Sequence, residues 1–336
     1  MNRSWWAGSL LNLSCFILVL NWAHVYSETD QTSPVIKSAR EERPGKKEQP
    51  KLRGPYLGRP APGSEPQVFA PGIVTSANIN HSSPAFSPDG KEIFWSRVLM
   101  DPPHVRIFHT RLVDSEWTQP RLAPFSSKAD DDCPAFSPDG KRLFFVSHRP
   151  NPTGGADGKE NIWYVERRES GWSAAKPISS SVNKMNLHWQ VSVSSNYTLY
   201  FACSQAGVTR IYRSRFIDGE YAEPSLLPAP INSGSGEETP YIAPDEDYIV
   251  FSSQRAAGCG GADLYISFKD ETGDWLEPMN LGCTVNSASY ELLPHVSPDQ
   301  KYLFFVSARG GEYDIYWVDA RFIKSLRRRS GLPCPK

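Results

Sequence analysis

A unit of about fifty residues recurs five times along this chain of 336 residues. A unit that short cannot bury an apolar face alone, so copies must pack on one another. The first copy reads Pro84-Ala85-Phe86-Ser87-Pro88-Asp89-Gly90-Lys91-Glu92-Ile93-Phe94-Trp95-Ser96-Arg97. The others start at Pro134, Gln190, Pro240 and Pro294, giving spacings of 50, 56, 50 and 54 residues. Each copy reads as four short strands. Strand A ends at a Ser-Pro-Asp-Gly turn, where Pro presets φ and Asp and Gly favour the reversal. Strand B is the aromatic and β-branched run after it, such as Phe144-Phe145-Val146-Ser147. Strand C is a second such run, as in Asn161-Ile162-Trp163-Tyr164 and Asp314-Ile315-Tyr316-Trp317. Strand D carries an aromatic and then a proline: Trp117 and Pro120, Trp172 and Pro177, Tyr221 and Pro224, Trp275 and Pro278.

Four-stranded units at this period predict an all-β fold, a single five-bladed β-propeller over residues 66–322. The fifth copy lacks a strand D and passes instead into a predicted helix and tail over 323–336, its helical run starting near Ala320. A spare strand D lies at the other end, at Glu65-Pro66-Gln67-Val68-Phe69-Ala70-Pro71. Pairing of that segment with the last blade closes the ring and removes its open edge.

The remaining segments read differently. Arg3, the apolar run Leu10 to Leu20 and Val25-Tyr26-Ser27 predict a signal peptide over 1–27. The apolar run is too short to span a bilayer as a helix, and no later segment could span one in the mature chain. Residues 28–65 hold six prolines and charges of both signs, which predicts a disordered linker. Export places the protein in the periplasm or outside the cell. Five cysteines follow the expected cleavage point, and none has zinc-site spacing. Cys259 in the B–C loop of blade four and Cys283 in the next D–A loop share a face, which favours a disulfide between them.

The pattern Pro-x-Phe-Ser-Pro-Asp-Gly-Lys-x-Leu-Phe-Phe-Val-Ser-x-Arg, followed by Asp-Ile-Tyr, resembles the propeller repeat of the TolB family, which is also WD-repeat-like. The resemblance covers residues 66–319 and concerns the propeller alone. TolB itself has six blades and an N-terminal α/β domain, which have no counterpart in this sequence. Related repeats occur in prolyl-peptidase-like enzymes, but no Gly-x-Ser-x-Gly elbow occurs here.

Candidate site residues follow from the strand order. D–A and B–C loops share one face, at the mouth of the central channel. The residues just before each strand A are His81, Asp131 and Asp132, His188, Glu237 and Glu238, and Glu291. The B–C loops add Arg97, Arg149, Arg255 and Arg309, with Gln205 in blade three. One expectation is a ring of acids and histidines suited to a divalent cation such as calcium, a cationic group or a polyhydroxylated sugar. The other is that each arginine pairs with a nearby carboxylate, such as Asp263 or Asp314, and only holds its blade together. The run Asp130-Asp131-Asp132 is a further calcium candidate. The turn recurs in every copy, as Ser-Pro-Asp in copies one, two and five, Ser194-Ser195-Asn196 in the third and Ala243-Pro244-Asp245 in the fourth, and reads as structural.

A net charge of −1 argues against nucleic acid as a partner. The expected function is a non-catalytic binding or scaffold protein of the cell envelope, a monomer needing no cofactor, whose partner is an envelope protein or a saccharide. The alternative is a carbohydrate-active enzyme using Asp131 or Asp132 with Glu237 or Glu238 as acid and base.

Overall fold

In the computed structural model the described residues are 52–76, 82–100, 103–152, 159–185, 190–205 and 207–333. They form five antiparallel sheets arranged as blades around one axis, a five-bladed β-propeller. Blade two shows the plan: strand A is Asp131–Phe136, strand B Arg142–Ser147 and strand C Asn161–Arg168. Strand D is split into Gly171–Trp172 and Lys176–Pro177, both paired with strand C. Blade one splits its strand D in the same way, around Pro120, because proline cannot donate to the ladder.

The ring closes as the repeat count requires. Gln67 and Val68 pair with Trp317 and Tyr316, and Phe69 N donates to Ile315 O at 2.8 Å. Blade five thus takes its outer strand from the N-terminal side of the propeller. The blades pack through aromatic residues that are nearly all inaccessible to solvent, including Trp95, Phe145, Phe251 and Phe305. Burial of this apolar area is the main stabilising term. A helix at Arg321–Arg329 follows blade five, held to blade four by Arg327 and Asp247 at 2.7 Å.

Order begins earlier than the proline-rich composition predicts. Pro55–Gly58 form a short 3-10 turn within the stretch read as linker. Leu57 is buried, and Tyr56 packs edge-on against Tyr302 and Phe86. The Tyr56 hydroxyl donates to Asp299 at 2.7 Å, and the Trp117 indole N–H donates to Gly54 O at 2.7 Å. Two aromatic contacts across the seam of blades five and one outweigh the local composition. Residues 28–51, and the expected signal peptide at 1–27, lie outside the described residues.

Three features lock the loops. The Ser-Pro-Asp turns are internal braces: Ser137 Oγ donates to Asp139 at 2.7 Å, and Lys141 N donates to the same carboxylate at 3.0 Å. Each D–A loop in blades two to four carries an asparagine clasp. Asn183, Asn232 and Asn286 each accept from a strand C amide and donate to the carbonyl of the same residue, at Ile162, Ile211 and Leu264. Finally, Cys259 and Cys283 form a disulfide with their Cα atoms 5.5 Å apart. Cys133 and Cys203 are buried.

The disulfide spans 24 residues. Loop-closure entropy for that span predicts a loss of about 3 kcal/mol on its removal. Urea unfolding of the Cys259→Ser/Cys283→Ser variant will show this as a lower midpoint, with a slope equal to or steeper than the wild type's because the unfolded chain loses a constraint.

Candidate functional site

The axial channel has a volume of about 340 Å³ and is lined by strand A residues of all five blades. Its walls include Phe86, Phe136, Val191, Tyr241 and Val296, with Ser83, Cys133, Gln190 and His295 among the polar groups. Asp131, Asp132, Glu237, Glu238 and Glu291, expected there, are not among its lining residues.

Asp131, Glu237 and Glu291 are wholly inaccessible to solvent and are absent from the channel wall. Asp131 takes a bidentate contact from Arg149, at 3.0 Å from Nε and 2.8 Å from the terminal nitrogen. It also accepts from Ser147 Oγ at 2.7 Å and Ser127 N at 3.0 Å. Glu291 accepts from Ser287 N at 2.8 Å, from Ser307 Oγ at 2.7 Å and from Arg309 at 3.4 Å. Glu237 accepts from Ser233 N and Ser235 N at 3.1 and 3.2 Å, with Arg255 at 3.7 Å. In blades two, four and five the expected acids and arginines therefore form one structure, a buried strut between the D–A loop and its blade.

The arginines complete that strut. Each guanidinium lies over the strand B and strand C aromatics of its own blade: Arg149 over Phe145 and Trp163, Arg255 over Phe251 and Tyr265, Arg309 over Phe305 and Tyr316. Each also donates to a D–A loop carbonyl, at Phe125, Pro230 or Val285. Arg97 stands two residues earlier in its repeat yet lies over Trp95 and Phe108 and donates to Ile73 O. The arginine partners are thus not Asp263 and Asp314. Asp263 instead accepts from Gly260 N at 3.1 Å and Asn280 at 2.7 Å, holding the disulfide loop.

A bulge explains why the acids turn away. The A–B register slips between Asp132 and Ala135, Glu238 and Tyr241, and Leu292 and His295. Cys133, Thr239 and Leu293 there have φ of 48°, 48° and 55°, a left-handed backbone that costs a non-glycine residue about 1 kcal/mol or more. The slip breaks the two-residue alternation of the strand. The acid at the start faces the strut, while Cys133 and Leu293 line the channel.

Asp130 and Asp132 do not act with Asp131 as a calcium cradle. Asp130 accepts from Val105 N at 3.0 Å and pairs with Arg106 at 3.3 Å, and Asp132 accepts from Cys133 N at 2.7 Å. Arg106 supplies the positive charge a cation would bring. Glu238, at the start of strand A in blade four, is buried, and burial pushes its carboxyl up to about 8. His81 and His188 lie outside the described residues.

The groups that do converge on the channel are uncharged near neutral pH. His295 stacks on Phe86 and meets Tyr241 edge-on, and burial pushes its imidazole down to about 4. Gln190 reaches past blade four to donate to Pro294 O at 3.2 Å. Ser83 Oγ, Gln190 Oε1 and His295 Nε2 are shut off from solvent without a hydrogen-bond partner. None of these was singled out from sequence as a site residue, because serine, glutamine and histidine at strand positions carry no motif.

No family model and no curated protein matches the chain. Among solved structures it is similar to TolB from Acinetobacter baumannii, at 18% identity and a TM-score of 0.46. That match covers 74% of this chain, which spans 59% of the length of the TolB chain. It is also similar to a gluconolactonase from Xanthomonas campestris, at 12% identity and a TM-score of 0.42, covering 80% of this chain and 98% of that one. A third is Kuenenia stuttgartiensis hydrazine synthase, at 16% identity, 67% and 54% coverage and a TM-score of 0.41. Similarity this loose leaves the fold to rest on the strand pairing itself. No helix among the described residues is long and apolar enough to cross a membrane.

Proposed function

We propose that this propeller is an exported, non-catalytic binding protein of the cell envelope that takes an uncharged, polyhydroxylated ligand, a saccharide, at its axial channel. One observation carries this reading: Ser83, Gln190 and His295 bring shielded polar atoms with unused hydrogen-bonding capacity into one channel. Each such atom costs about 1–3 kcal/mol until a partner meets it, and a hydroxylated ligand both donates and accepts. The same geometry weakens the cation and enzyme readings. Asp131 and Glu237, two of the four candidate acid–base carboxylates, are engaged in struts. Export rests on the N-terminal sequence pattern.

Calorimetric titration with a panel of neutral oligosaccharides tests the reading. At least one is expected to bind, and Gln190→Leu and Ser83→Val should each weaken it roughly tenfold while the variants stay folded. Failure of every sugar to bind, or equal affinity in the variants, removes the saccharide assignment.

A further inference from the structure

The axial channel has two unlike ends. Counted back from the A–B turns, Ser83, Cys133, Gln190 and Leu293 each stand four residues ahead of the first turn residue, and all of them line the cavity at its loop end. The second turn residue lines it at the other end in every blade: Pro88, Pro138, Ser195, Pro244 and Pro298. Strand rise puts these two layers roughly 15 Å apart. Tyr241 and His295 stand between them, two residues ahead of their turns.

The collar at the turn end is apolar and fixed. Pro88, Pro244 and Pro298 are exposed and Pro138 is half-buried, so pyrrolidine rings rim the opening. Proline has no N–H to offer, and the Pro244 carbonyl accepts from Ser195 N at 2.7 Å. Ser87, Ser137 and Ser297 brace their turns by donating to Asp89, Asp139 and Asp299 at 2.6, 2.7 and 2.7 Å. Neighbouring turns are tied together as well: the Tyr197 hydroxyl donates to Asp139 and Ser194 Oγ to Glu246, both at 2.8 Å. A group entering this collar meets carbon surface that is already ordered, which keeps the cost of binding low. Among the described residues the cavity lining holds no Asp, Glu, Lys or Arg.

We infer that the channel ligand is a neutral amphiphile, a glycoside with an apolar aglycone, bound with its sugar toward Ser83 and Gln190 and its aglycone in the proline collar. The inference rests on the saccharide reading of this channel and adds the other half of the molecule. A volume of about 340 Å³ lies in the range of small-ligand sites. A longer oligosaccharide would press hydroxyls against the prolines and lose their hydration without replacement. An alkyl or aryl group there instead contributes in proportion to the apolar area covered.

The test is calorimetric titration of the whole chain with the methyl, butyl and hexyl glycosides of glucose, galactose and mannose, and with hexanol alone. In at least one series affinity should rise from methyl to hexyl, by roughly fourfold for each methylene the collar covers. Ser195→Asp and Ser195→Lys place a charge of either sign in the collar. Each should remove the gain with chain length and leave the methyl glycoside unchanged. Ser195 is exposed, so neither substitution requires repacking. Gln190→Leu should weaken every member of the series roughly tenfold and keep the gain. Methyl and hexyl glycosides of equal affinity would overturn this inference and leave the saccharide reading standing. Hexanol binding as tightly as the hexyl glycosides would remove both. No binding in any series, or the reverse pattern in the Ser195 and Gln190 variants, also overturns it.

Discussion

Arg149→Met is expected to destabilise the ring by about 3–5 kcal/mol, because it leaves the Asp131 carboxylate buried without its counter-charge. For a domain of this size that corresponds to a fall in melting temperature of about 10 °C. The carboxylate is wholly inaccessible, so water cannot replace the two lost guanidinium contacts. Asp131→Leu should cost a similar amount from the other side. The double variant should recover part of the loss, since a well-packed apolar pair removes both desolvated charges. Paired denaturation curves measure this coupling directly. Single-variant losses below about 1 kcal/mol would mean that the pair behaves as a solvated surface bridge.

The second large effect concerns Glu238 and pH. Burial raises its carboxyl to about 8, above its ordinary value. The folded state therefore holds this proton more tightly than the unfolded chain does. Its stabilising contribution is full below the ordinary carboxyl range and is lost as pH rises through about 8. The loss across that window is on the order of 4 kcal/mol. Glu238→Gln keeps the shape without an ionisable group. It should match the wild type at pH about 4 and be the more stable protein at pH about 9. Urea unfolding at those two pH values checks the prediction; parallel loss of stability in both proteins would contradict it.

The architecture was legible because it rests on repetition. Five recurrences of one strand–turn–strand unit, two of them with Pro-x-Phe-Ser-Pro-Asp intact, and one stray strand at Gln67–Val68 are enough to count blades and close the ring. The site was less legible for a local reason. Asp131, Glu237 and Glu291 stand before strand A, where simple alternation leaves their facing open. The bulge at Cys133, Thr239 and Leu293 sets that facing, and no glycine marks it in the sequence. The asparagine clasps did leave a trace, since Val182-Asn183, Ile231-Asn232 and Val285-Asn286 recur at nearly the repeat period. Tyr56 left none: a lone aromatic in a proline-rich stretch gives no sign of the seam it fills.

In the proposed function, charged groups hold the loops and uncharged groups in the channel receive the ligand. The pH profile of saccharide affinity tests it most directly. With His295 neutral above about 4, affinity should be flat from pH about 5 to 7 and insensitive to chelators. It should fall only as His295 takes up a proton. An affinity that instead rises through the ordinary carboxylate range, or that is lost on adding a chelator, would return the acids to the site and contradict the account.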